Sequence, residues 1–185
     1  NGAFFGGSAI AALSQGLMLG GMIQGITVEG GAFAGGAFDW LTPFSLLVGI
    51  SVIIGYLMLG ACWLVLKTEG ELFLRARKWA RLALAGVAIC FLAVSLATLA
   101  IDPSVGERWG FAMTQIDFAR LLPLSPAPLA GMVFCAWLWR DLSLPIGPGD
   151  APDWRPYLLA VGIFLSGYIG LGFSLYPYIV PFEFT

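Results

Sequence analysis

The chain has 185 residues, 59% of them hydrophobic and 11% charged, with a net charge of −2 and no histidine. Average soluble domains carry about 25% charged residues, so this chain has too little polar surface to cover a water-soluble globule, and a membrane protein is the class that remains. Its nine basic residues are scattered, which excludes the dense cationic face that nucleic acid requires.

A helix needs about 20 apolar residues to cross the hydrocarbon core. Five stretches free of Asp, Glu, Lys and Arg meet that length: 4–26, 44–66, 82–101, 121–139 and 157–180. They predict an all-α polytopic membrane protein, with residues 1–185 forming one integral-membrane domain of five transmembrane helices. The opening NGAFFGGSAIAALSQGLMLGG is already apolar and has neither an initiator methionine nor a basic leader. The chain therefore reads as a piece of a longer protein.

In the first span Ser8, Ala12, Gly16, Gly20 and Gln24 recur every four residues. Such a ridge lets helix backbones approach closely, which is how helices associate in lipid. A substrate path along the ridge is the alternative. Gln15 and Gln24 are amides inside an apolar run and each needs a partner, either another helix or a bound polar group such as a quinone carbonyl. The glycine-rich connector GGAFAGG lacks the lysine of a phosphate-binding loop.

The second span carries Gly55, Met58, Gly60 and Cys62, and the third Gly86 and Cys90. The cysteines, with Cys135, lie in apolar runs without metal-ligand or disulfide spacing and read as small buried hydrophobes. The fourth span is weakened by Pro123, Pro126 and Pro128 at its start. In the fifth, Gly162, Ser166, Gly170 and Ser174 repeat the ridge, and Tyr176, Pro177, Tyr178 and Pro181 end the helix at a membrane interface.

Charge sets the direction. The connectors 67–81 and 140–155 hold Lys67, Arg75, Arg77, Lys78, Arg81, Arg140 and Arg155, whereas the other two hold Arg108 and Arg120. By the positive-inside rule the first pair is cytoplasmic, so the segment begins inside and finishes outside. Arg75, Arg77 and Lys78 are read as topology-setting charges on a solvated connector, with lipid headgroup or partner contact as the alternative.

Without histidine, haem ligation and acid–base work by imidazole are excluded in these residues. Met18, Met22, Met58 and Met132 are read as packing. No carboxylate lies mid-span, and no nucleophile–base pair is present. Chemically the segment is a scaffold, with no catalytic or metal site.

Several ordered landmarks carry a resemblance. They are GSAIAALSQGLMLG at 7–20, DWLTPFSLLVGISVIIGYLMLGACWLVLKTEG at 39–70, Arg108–Trp109, and SLYPYIVP at 174–181. Within them Gly55, Tyr56, Gly60, Trp63, Lys67, Thr68, Glu69, Gly70, Pro177 and Pro181 mark the motif. Together they resemble subunit II of cytochrome bd-type quinol oxidases, nearest the cyanide-insensitive branch, over essentially the whole chain. Phe182 departs from the further proline usual in that family, and the family's first and last helices have no counterpart here. The resemblance implies a bacterial plasma-membrane terminal oxidase in the respiratory electron-transport chain, a heterodimer that oxidises quinol and reduces oxygen to water. It further implies that haem b and haem d sit in the partner, subunit I. Subunit II would then be built of four-helix bundles and hold no haem, with membrane lipid and a structural quinone as its other partners. A fragment of a secondary transporter with Gly/Pro-broken helices is the competing reading, and a purely structural membrane scaffold a third.

Overall fold

In lipid, an apolar run satisfies its backbone polar groups only by bonding to itself as a helix, and the long runs of this chain do so. The computed structural model describes residues 1–25, 28–29, 32–33, 35–101, 111–112, 115–116, 126–145 and 153–175. The helices are α1 (Gly2–Gln24), α2 (Pro43–Lys67), α3 (Gly70–Ile101), α4 (Pro126–Ser143) and α5 (Arg155–Leu175). Two antiparallel pairs of two-residue strands lie in connections: β1 (Val28–Glu29) with β2 (Ala32–Phe33), and β3 (Phe111–Ala112) with β4 (Gln115–Ile116).

Among the described residues, four helices, α1, α2, α3 and α5, are long and apolar enough to cross a membrane. The counterpart of the expected span 121–139 is α4, which is not among those four. It begins at Pro126, in the first turn where proline is tolerated, and runs on through Arg140 and Asp141 to Ser143. The two charges in its last turn dilute a short apolar stretch.

The expected basic connector 67–81 is mostly helix. Lys67 ends α2 and Gly70 begins α3, with Thr68 and Glu69 between them. The intervening ELFLRARKWAR has strong helix formers and no glycine or proline. Its apolar positions also recur at helical spacing, Phe73 and Ala76 packing on Val65 of α2 and Ala80 entering the main core. At 1.5 Å per residue α3 is about 48 Å long, longer than the hydrocarbon thickness of about 30 Å. Thr68 closes α2, its N–H and hydroxyl donating to the Leu64 carbonyl at 2.9 and 2.7 Å. The reversal into α3 is made at Gly70, whose φ of 63° is disfavoured for any residue with a Cβ.

Helices α2 to α5 form an up-and-down four-helix bundle in which α2 packs on α3, α3 on α4, α4 on α5 and α5 back on α2. Each supplies side chains to one core, including Met58 and Cys62, Ala80 and Leu84, Leu138, and Ala160. Cys62, Cys90 and Cys135 are free thiols.

The first helix docks outside this ring, on α2, through small residues. A Cβ added to Gly16 would lie 2.5 Å from the Gly49 Cα, and one on Gly20 would lie 2.5 Å from the Ser45 Cα. Ala12 is buried on the same face. Gly60 differs, because nothing lies within 4 Å of the Cβ it lacks.

Gly16→Ala or Gly20→Ala is therefore expected to push α1 off α2 and to cost about 1–3 kcal/mol, seen as a lower Tm of the purified protein. Gly60→Ala should be neutral or stabilising by up to about 1 kcal/mol, the helix-propensity gain. Gly70→Ala should cost about 1–2 kcal/mol through backbone strain alone, since no atom obstructs its Cβ.

Candidate functional site

The start of α2 is where the DWLTPFS stretch acquires a physical role. Thr42 is the N-cap: its hydroxyl accepts from the Ser45 N–H at 3.0 Å, and the Ser45 hydroxyl accepts from the Thr42 N–H at 2.9 Å. Pro43 follows at the first helical position, where its missing N–H costs nothing. The buried Ser45 hydroxyl donates onward to the Trp40 carbonyl at 2.7 Å. From α1, the Gln24 side-chain carbonyl accepts from the Thr42 hydroxyl. This amide thus joins the end of α1 to the start of α2.

Gln15 has a different setting. Tyr56 of α2 donates to its side-chain carbonyl at 2.6 Å, and its amide donates to the Tyr168 hydroxyl of α5 at 3.3 Å. The rings of Tyr56 and Phe164 are stacked at 5.7 Å between centroids, and Phe164 meets Tyr168 at 6.4 Å. Gly55 makes room for this aromatic group, because a Cβ there would lie 2.7 Å from Phe164. Each of the three polar residues lies near the middle of its helix. All three are exposed, Tyr56 at 38% and Tyr168 at 44%. The second amide proton of Gln15 has no partner among the described residues. Exposed polar groups at mid-depth are costly against lipid tails, so this patch is the candidate binding site.

Below it, Tyr56, Gly60, Trp63 and Lys67 share the exposed side of α2. Trp63 meets Tyr157 of α5 edge-on at 5.1 Å, and the Lys67 ammonium lies 5.2 Å from the Trp63 ring. Thr68, Glu69 and Gly70 form the turn already described.

In α5, Gly162 lies under Phe134 of α4, and Gly131 of α4 faces the Ser166 hydroxyl, so these two ridge positions meet α4. Gly170 continues the ridge half-buried, and Ser174 lies in the last turn of the helix. Ser8 is exposed and bonds its own helix, donating to the Phe5 carbonyl at 2.9 Å. Arg108, Trp109, Pro177 and Pro181 lie outside the described residues.

Arg77 reaches from α3 to the end of α4, donating to the Asp141 and Leu144 carbonyls at 2.8 and 3.1 Å. An arginine there satisfies terminal carbonyls and complements the helix dipole. Arg81 lies 5.4 Å from the ring of Trp139 on α4, and Arg75 pairs with exposed Glu71 at 3.1 Å. Sequence reasoning named Gln15 but missed Tyr168 and Thr42. The signal available was that each amide requires a partner and that mid-span tyrosine is one of few.

With this arrangement in view, comparison with known proteins is decisive for the family. The family model described as cytochrome bd terminal oxidase subunit II matches residues 1–185. The chain belongs to this family. The chain is also similar to the cytochrome bd-I ubiquinol oxidase subunit 2 of Escherichia coli strain K12, with 33% identity over 92 residues. The proteins of the same name from the O6:H1 and O157:H7 strains match equally, at 33% over 92 residues. The matched stretch covers 47% of this chain and 24% of the relative. This subunit II chain therefore aligns with about a quarter of the curated relatives' length. Its polytopic build, with helices for every long element, agrees with the expectation from the resemblance.

Tyr56→Phe is expected to strip the Gln15 carbonyl of its donor, and Gln15→Leu to remove both hydrogen bonds. A double-mutant cycle on these two positions, read by thermal unfolding of the purified oxidase, should return a coupling of about 0.6–1.7 kcal/mol.

Proposed function

We propose that this chain is part of the haem-free second subunit of a quinol-oxidising, oxygen-reducing terminal oxidase, and that it supports assembly and packing of the haem-bearing subunit I. The carrying observation is the family match across residues 1–185 in a chain with no histidine. The described positions of Met18, Met58 and Met132 do not suit a haem either. Met58 is sealed in the bundle core at 0% exposure, while Met18 and Met132 project outward from separate helices at 69% and 62%. In this reading haem b and haem d belong to the partner, and electron transfer from quinol to oxygen runs there. The helices described here shield that centre. The membrane is the bacterial plasma membrane, and the basic α2–α3 hairpin faces the cytoplasm because Lys67, Arg75, Arg77, Lys78 and Arg81 cluster on it. Across the described residues α4 and α5 run unbroken, which offers nothing to a broken-helix transport site.

A structural quinone fits the mid-depth patch. A quinone carbonyl is an acceptor, and the free amide proton of Gln15 is a donor beside the Tyr56, Phe164 and Tyr168 rings, against which a planar headgroup can pack. Gln15 and Tyr168 would hold and orient it. Gln24 is already engaged by Thr42 and has less to offer.

The test is a reduced-minus-oxidised visible spectrum of the affinity-tagged full-length protein, purified gently from its native membrane. Haem b and haem d bands are expected to accompany the tag and to be lost when the partner is stripped away. A colourless preparation of an intact, folded chain overturns the reading.

A further inference from the structure

Where α3 meets α4, a shallow groove of about 310 Å³ is lined by Lys78, Arg81, Leu82, Ala85 and Trp139. The four α3 residues stand at i, i+3, i+4 and i+7 and so share one face. Charge occupies the end of the groove toward the α2–α3 turn and apolar surface the other. Beyond it the stripe continues through Ile89, Leu92 and Leu96, exposed at 69%, 60% and 59%. Arg81 is held over the Trp139 ring, so its guanidinium is already oriented. Among the described residues, neither Lys78 nor Arg81 has a carboxylate partner. Their neighbours on the same turns are committed: Arg75 to Glu71, and Arg77 to the end of α4. Arg81 is also the last charge before the apolar run of α3, and Trp139 the last residue before Arg140 ends that of α4. The groove therefore sits at the level where hydrocarbon gives way to headgroups.

We propose that this groove binds an anionic phospholipid, its phosphate between Lys78 and Arg81 and one acyl chain along Leu82, Ala85 and Ile89. Charge complementarity names the headgroup, since two cations without a carboxylate partner need an anion. The apolar continuation names a lipid over a free phosphate ion. The tryptophan adds the interfacial indole that favours this depth. A cation near a membrane surface favours an anionic lipid about fivefold. The inference requires only that α3 spans the membrane and does not depend on the identity of the partner or on haem content.

The experiment uses the whole oxidase complex, exchanged into detergent with equal phosphatidylglycerol and phosphatidylcholine and examined by native mass spectrometry. Wild type is expected to retain phosphatidylglycerol in preference to phosphatidylcholine. Lys78→Gln should lower that preference about fivefold and Lys78→Gln with Arg81→Gln by more, while Arg81→Lys keeps most of it. Millimolar inorganic phosphate should not displace the lipid. Three results overturn the proposal: equal retention by wild type and the double variant, no headgroup preference, or no lipid because the partner subunit covers the groove. Displacement by phosphate reassigns the groove to a free anion and also overturns it. If the double variant does not fold, the single Lys78→Gln change decides, because Lys78 is exposed.

Discussion

A helix leaves several backbone groups unpaired at each end, and near an apolar medium those groups must find partners within the protein. Much of the polar chemistry of this chain answers that constraint. Thr42, Ser45 and Gln24 close the start of α2, and Thr68 closes its end. Arg77 crosses from α3 to close α4. Because the closing group often comes from a different helix, capping and tertiary packing become one event. The Thr42 hydroxyl that caps α2 also donates to Gln24 at the end of α1, so the cap is tied to the packing of the first helix.

Side-chain volume supplies the second ordering rule. In lipid, association of helices relies on van der Waals contact and hydrogen bonding rather than on expulsion of water. The chain uses glycine and serine where two backbones touch, as at Gly16 with Gly49 and Gly20 with Ser45. It uses glycine against rings where an aromatic must lie flat, as at Gly55 with Phe164 and Gly162 with Phe134. The first kind joins α1 to the bundle. Of the second kind, Gly55 frames the aromatic surface beside Gln15, and Gly162 seats α4 against α5.

Much of this was legible in the sequence, and the failures have physical causes. Apolar run length located the helices, because a membrane crossing tolerates few charges. The same logic placed the start of α3 too late: charge marks the end of a membrane span but not the end of a helix, and Phe73 and Ala76 kept the basic stretch packed on α2. The four-residue ridge in α1 indicated the face that packs. It did not show that Ser8, near the start of α1, would bond its own helix instead of a neighbour. Gln15 was recognisable as an amide in need of a partner. A mid-span tyrosine was a legible class of partner, but the choice of Tyr168 was not, since 153 residues separate it from Gln15 and only bundle closure brings them together. Pro177 and Pro181, expected to end the last helix, lie outside the described residues.

The antiparallel pairings have a consequence for depth. Arg77 lies level with the end of α4, where Arg140 stands beside Trp139. Arg155 opens α5, two residues before the Tyr157 that meets Trp63 of α2. Residues far apart along the chain thus bring cations from three successive helices to one height, with Lys67 just beyond on the fourth. To sink or rise by a single turn, the bundle would have to drag several charges into hydrocarbon together or expose a ring of apolar side chains to water. The vertical register of the protein in its bilayer is therefore set collectively, by a collar that no single helix carries.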